Sequence, residues 1–218
     1  MNFERGRLYK KAIKSLKNSI DIANELNAEI VTIHPIHTYG FYKDEAKYKK
    51  NITKKIIANL SLIRDYIEKR KFNIKIGIET MAPKKSRIVV GDKPKEIVSI
   101  IKALNSKKIG VTWDMCHTYE SLLCYKLNIS DLKELARCTY HIHYSSFSPI
   151  FSKCHCPEEY GLSKPIHKMV SLLKNYKGMV INEISPTMFI YFNPKRTLKE
   201  WLNLTLKQSR EDFKEWMH

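Results

Sequence analysis

Apolar positions along the chain alternate between two periods. From residue 7 to 27, Leu8, Ala12, Leu16, Ile20 and Ala23 form one helical stripe, and Asn27 is suited to a left-handed stop. "EIVTIHP" is then a continuous apolar run of strand length. Residues 44 to 69 return to helical spacing through Ile52, Ile56, Leu60, Ile63 and Ile67, and "NIKIGIET" reads as a second strand. Pro94 stands where a first helical turn begins, ahead of Ile97, Ile100, Ile101 and Leu104. "KIGVTWD" is a third strand, and Ser130 is expected to cap a short helix through Leu135. "CTYHIHYSS" is a fourth strand, followed by a helix from about Pro165 to Tyr176 that packs Met169, Val170, Leu172 and Leu173. "GMVINEIS" is a fifth, and Thr197 with Glu200 forms a capping box before a last helix. Strands alternating with helices predict βαβ units and a parallel sheet.

The polar residues that close these strands belong to a narrow set. The first strand ends in His34, the second in Glu79, and the third in Asp114 with His117 three residues on. The fourth carries His141 and His143, and the fifth ends in Glu183. The C-terminal ends of parallel strands share one rim, where chemistry sits in barrels and open α/β sheets. Imidazoles and carboxylates gathered there suit a divalent ion, and such ligands do not choose among manganese, cobalt, magnesium and zinc. His143 lies nearer the strand end than His141, so His143 is the expected ligand and His141 a neighbour that orients it.

Composition narrows the setting. The 218 residues, 43% of them hydrophobic, can fill the core of one domain, taken as residues 1–218. No apolar run reaches the length of a membrane span, and the N-terminus has no secretory pattern. Five cysteines without a CxxC pair fit a reduced, cytoplasmic chain. The net charge of +17 comes from lysines scattered over the whole length. A diffuse excess of this kind gives weak, salt-sensitive affinity for DNA and builds no site.

The motifs "IVTIHP", "IGIET", "GVTWDMCHTY", "YHIHYSS", "HCPEEYGLSKPI" and "VINEI" together resemble the xylose isomerase-like TIM-barrel superfamily. That superfamily holds sugar isomerases and epimerases as well as DNA-repair enzymes of the endonuclease IV type. The resemblance covers nearly the whole chain and implies an α/β fold, a partial (β/α) TIM barrel of about five parallel strands with outer helices. For the sugar branch it implies one divalent metal held by Glu79, Asp114, His143 and Glu183. Glu79 and Glu183 would double as acid and base on a small sugar or sugar phosphate. A carbon acid needs a nearby cation for its developing charge and a positioned base.

The repair branch implies three zinc ions, with His34, His117 and His155 as additional ligands and abasic DNA as substrate. Three departures rank it second. The loop that should read Asp-Arg-His reads Lys153-Cys154-His155, although Cys154 could replace the aspartate chemically. The motif His-x-x-Asp has become His143-Tyr144-Ser145-Ser146, and "MAPKKSRIVVGDKP" replaces a Gly-rich segment. The sugar branch in turn lacks the arginine it often places in the loop after His143. A complete barrel has eight strands, and this chain opens in the helix that would precede the fourth. The domain is therefore expected to be N-terminally incomplete, which leaves open edges. A homo-oligomer, a missing N-terminal segment, or an inactive or partner-dependent truncated homologue would each answer that.

Overall fold

The computed structural model describes residues 6–35, 37–39, 44–85, 87–150, 153–157, 160–162, 164–173, 176–185, 188, 193 and 195–216. Helix α1 (Gly6–Glu25) runs to Asn27, which takes the left-handed conformation at φ 55° and lets the chain turn into β1 (Ile30–Ile33). After β2 (His37–Tyr39), Asp44 caps α2 (Glu45–Lys69) by accepting from the Lys47 N–H. Its buried stripe is Ile52, Ile56, Leu60, Ile63 and Ile67, as the spacing predicts. Strands β3 (Lys75–Glu79) and β4 (Arg87–Val89) precede α3 (Pro94–Leu104), which has Pro94 in its first turn and stops at left-handed Asn105.

Strand β5 (Ile109–Asp114) leads directly into α4 (Met115–Tyr125). A short 3-10 turn (Ile129–Leu132) and α5 (Lys133–Arg137) precede β6 (Thr139–Tyr144), β7 (Ser146–Ser148) and β8 (Lys153–Cys156). The described chain continues through α6 (Lys164–Val170), β9 (Met179–Asn182) and α7 (Leu198–Trp216).

Strands β1, β3, β5, β6 and β9 form one parallel sheet in that order, a half-barrel made of the five predicted strands. Two antiparallel pairs, β2–β4 and β7–β8, follow strand ends and lie outside the main sheet. Ile76, Ile78, Val111, Trp113 and Ile142 are fully buried in one core with Ile63, Ile67, Ile97, Ile100 and Leu104 of the helices. Burying each such side chain is worth roughly 1.5–3 kcal/mol, and this ties the helices to the sheet's outer face.

The other face alternates with the first. It carries Gly77 and Glu79 on β3, Thr112 and Asp114 on β5, and His141 and His143 on β6, set side by side by the register. Between β5 and β6 the register slips. Val111 pairs with Thr139 but Thr112 pairs with His141, so Tyr140 is an extra residue. Gly77 makes room for its neighbour. A Cβ there would overlap the Thr112 hydroxyl, which reaches across β3 to the Thr32 hydroxyl at 2.9 Å.

Several local expectations change. Residues after Asp114 form α4, where no helix is expected from the pattern. Ser130 lies inside the 3-10 turn, whose capping box is made by Asn128 and Asp131. Helix α6 stops at Val170, short of Tyr176. Thr197 and Glu200 make the expected box, with the Thr197 N–H donating to Glu200 Oε2 at 2.7 Å. All five cysteines are free, and among the described residues no helix is long and apolar enough to cross a membrane.

Candidate metal centre

Each of the four expected metal ligands of the sugar branch sits at or next to the end of an apolar strand. Glu79 is the last residue of β3 and Asp114 the last of β5; His143 is one residue from the end of β6, and Glu183 follows β9. The Glu183 N–H extends the ladder by donating to the Tyr144 carbonyl at 2.8 Å, and this holds its side chain at the rim. Ligand atoms of Glu79, Asp114, His143 and Glu183 all lie within 4.8 Å of one another. His143 is central to them. Its Nδ1 is 2.7 Å from Glu183 Oε2 and 3.5 Å from Glu79 Oε1.

The burial of the two glutamates differs sharply. Glu79 is 1% exposed and Glu183 is 42% exposed. His34, 63% exposed, brings Nε2 to 2.7 Å from Glu79 Oε2. The rim is thus closed below Glu79 and open above Glu183 and His34.

These contacts pair imidazole with carboxylate by charge, off the alignment of regular hydrogen bonds. Both oxygens of Glu79, Oδ2 of Asp114, Nδ1 of His143 and Oε2 of Glu183 are buried atoms without an aligned hydrogen-bond partner. Buried polar atoms are normally paired. Five such atoms, all drawn from the metal-ligand set and converging on one volume, fit a divalent ion.

The charges agree with the geometry. Burial pushes Glu79 up, but the imidazoles of His143 and His34 outweigh it and hold the carboxyl at about 2. Burial lowers His143, while Glu183 and Glu79 lift it to about 10. Contact with His143 holds Glu183 below the usual carboxylate range, and burial raises Asp114. Contact with Glu79 raises His34.

A second group shares Asp114. Asp114, His117 and His155 bring ligand atoms within 4.8 Å of one another. Asp114 caps α4, its Oδ1 accepting from the His117 N–H at 2.7 Å. The capping bond turns His117 back over the rim, where its Nε2 lies 3.1 Å from Nε2 of His155. His155 holds a left-handed backbone at φ 62°, a strained state for a histidine, fixed by the Ser185 N–H donating to its carbonyl at 3.0 Å. Cys154 does not join either group. It is buried, and its thiol donates to Glu120 Oε1 at 3.0 Å.

His141 meets His143 ring to ring, at 5.0 Å between centroids, and neither of its nitrogens has a hydrogen-bond partner. Burial, helped by His143, lowers its pKa to about 4, so it stands neutral beside the charged ring. Two residues that pattern alone does not single out are also part of the site. Thr80 and Thr118, both buried, bind the backbone of Asp114.

Comparison with known proteins agrees with this architecture. An uncharacterised protein of Methanocaldococcus jannaschii is 31% identical over 111 residues, which is 51% of this chain and 36% of that protein. A protein of Mesomycoplasma hyopneumoniae named "Probable endonuclease 4" is 32% identical over 145 residues, covering 63% of this chain and 48% of its own length. The alignments thus span half or less of these relatives. Among solved structures, a D-tagatose 3-epimerase-like protein has a TM-score of 0.64 at 22% identity, over 94% of this chain and 74% of that one. D-psicose 3-epimerase has a TM-score of 0.65 at 17% identity, over 96% and 71%. Residues 2–207 match the family described as xylose isomerase-like TIM barrel, and the chain belongs to that family.

Proposed function

We propose that the chain is a divalent-metal-dependent isomerase or epimerase of a sugar or sugar phosphate. The observation that carries this reading is the convergence of Glu79, Asp114, His143 and Glu183, with five buried ligand atoms that have no aligned hydrogen bond. These four residues would hold the ion, which when bound would supply a Lewis acid for charge developing on a substrate oxygen. Glu183 is half-exposed, so its carboxylate can reach a solute and take a proton from carbon beside a carbonyl. Glu79 lies on the buried side with His34 against its Oε2, and its low pKa keeps it an acceptor. The sugar class is taken from the epimerases whose folds this chain shares.

Exchange of substrate C–H protons with heavy water, in a ketose supplied with Mn²⁺ or Co²⁺, tests the assignment. Glu183→Gln is expected to lower that exchange by about 10²–10⁴-fold. Exchange at the wild-type rate in the variant would sink the role of Glu183.

A second reading, an abasic-site endonuclease with additional ions, is favoured by the group of Asp114, His117 and His155. It ranks lower because Cys154, at the place of the expected aspartate ligand, binds Glu120 instead. Metal content separates the two readings. One ion per chain supports the isomerase; two or more, together with incision of an abasic duplex that is lost in His155→Ala, support the endonuclease.

A further inference from the structure

We infer that Thr80 is a positioning residue for the metal centre: its hydroxyl fixes the backbone of Asp114 while its carbonyl fixes the ring of His117. The inference rests on the metal-centre reading above and concerns a residue outside either ligand group. Thr80 follows Glu79, and its own N–H donates to the Thr112 carbonyl at 3.0 Å, which continues the β3–β5 ladder by one step. Beyond that step its side chain replaces the backbone as partner. The Asp114 N–H donates to Thr80 Oγ1 at 2.9 Å, and the Thr80 hydroxyl donates to the Asp114 carbonyl at 3.0 Å. A hydroxyl has one hydrogen and two lone pairs. Both sides of Asp114 are therefore held by one buried oxygen.

Its second lone pair faces Thr118 Oγ1 at 3.3 Å. Thr118 also lies 2.9 Å from the Asp114 carbonyl and accepts from the Trp113 indole N–H at 3.0 Å. Among the described residues this closes a buried network beneath the rim. With its backbone and Oδ1 both engaged, Asp114 has only Oδ2 free, and that is the atom aimed at the ligand groups.

The carbonyl of Thr80 acts on the other partner. It lies 3.0 Å from His117 Nδ1 and can only accept, so Nδ1 carries the hydrogen and Nε2 presents its lone pair. His155 is held the same way, with Nδ1 3.1 Å from the Glu183 carbonyl. The two Nε2 atoms then face each other at 3.1 Å, a separation that a cation between them, proton or metal, would satisfy. Orienting contacts of this kind typically matter 10–100-fold for metal affinity.

Thr80→Val keeps the shape of the side chain and deletes the hydroxyl, whereas Thr80→Ser keeps the hydroxyl. In Co²⁺ titrations followed by visible absorption, Val should weaken binding by about 10–100-fold and alter the band pattern, and Ser should restore both. Val binding Co²⁺ as the wild type does, or Ser behaving like Val, would overturn the inference. A wild-type chain that takes up no Co²⁺ overturns the metal-centre reading itself, and it does so before any variant is compared. A metal-free measurement keeps the two apart. Long-range ¹H–¹⁵N spectra of the wild type should show His117 as the Nδ1–H tautomer, and an Nε2–H tautomer overturns the inference whatever the metal binding.

Discussion

On the metal-centre reading, a proton and a divalent ion would compete for one nitrogen of His143. Burial acts against its charge, but Glu183 and Glu79 keep the ring protonated to about pH 10, above its ordinary value of 6.5. The charged ring therefore favours the folded state. That contribution is complete below about pH 6.5 and is lost as pH rises through about 10. A divalent ion needs the same nitrogen bare, so uptake near pH 7 should release protons, and apparent affinity should rise with pH. Calorimetry in two buffers of different ionisation heat reads the proton count. Identical heats in both buffers would rule out displacement of a proton, and His143→Gln should remove the buffer dependence. At this scale the candidate ligands were legible, because Glu79, Asp114 and Glu183 each end an apolar run and His143 lies one residue from such an end. Thr80 was not. Its partner Asp114 is 34 residues away, and a threonine after a strand carries no mark of what it will touch.

Elements were legible wherever one face is apolar for three turns or more. The stripes of α2 and α3 follow from spacing alone, and Asn27 and Asn105 stop α1 and α3 in the left-handed state. Helix α4 escaped notice because "MCHTYESLLCY" has no single apolar face and its cap, Asp114, reads equally well as a ligand. It is both. Strands β2, β4 and β7 are three residues each, too short to display alternation. The packing of β3 against β5 gives a sharper test. Gly77→Ala should push Thr112 off the Thr32 hydroxyl and cost about 1–3 kcal/mol, read by thermal or denaturant unfolding. Adding Thr112→Ala should recover part of that loss, since the two side chains no longer compete for one space. Fully additive losses would refute the steric account.

For the molecule as a whole, strand number and parallel order could be read from the alternation of elements, whereas closure could not. Strands β1 and β9 end the sheet on either side, and Met179 and Ile181 on β9 are 52% and 43% exposed. Edges that pair with no strand among the described residues, beside apolar side chains, favour association. We propose that this chain, studied alone, associates with itself through the open sheet. Sedimentation velocity should show mass rising with concentration, and Ile181→Lys should reduce it. A monomer at every concentration would dismiss the proposal. The slip between β5 and β6 has a consequence on the same scale. Without Tyr140 as slack, Asp114 would stand beside Ile142, and both histidines of β6 would turn into the layer of isoleucines under the helices. One uncounted residue thus works as a selector between two interiors for the same sequence of strands, one lined with candidate ligands and one merely greasy.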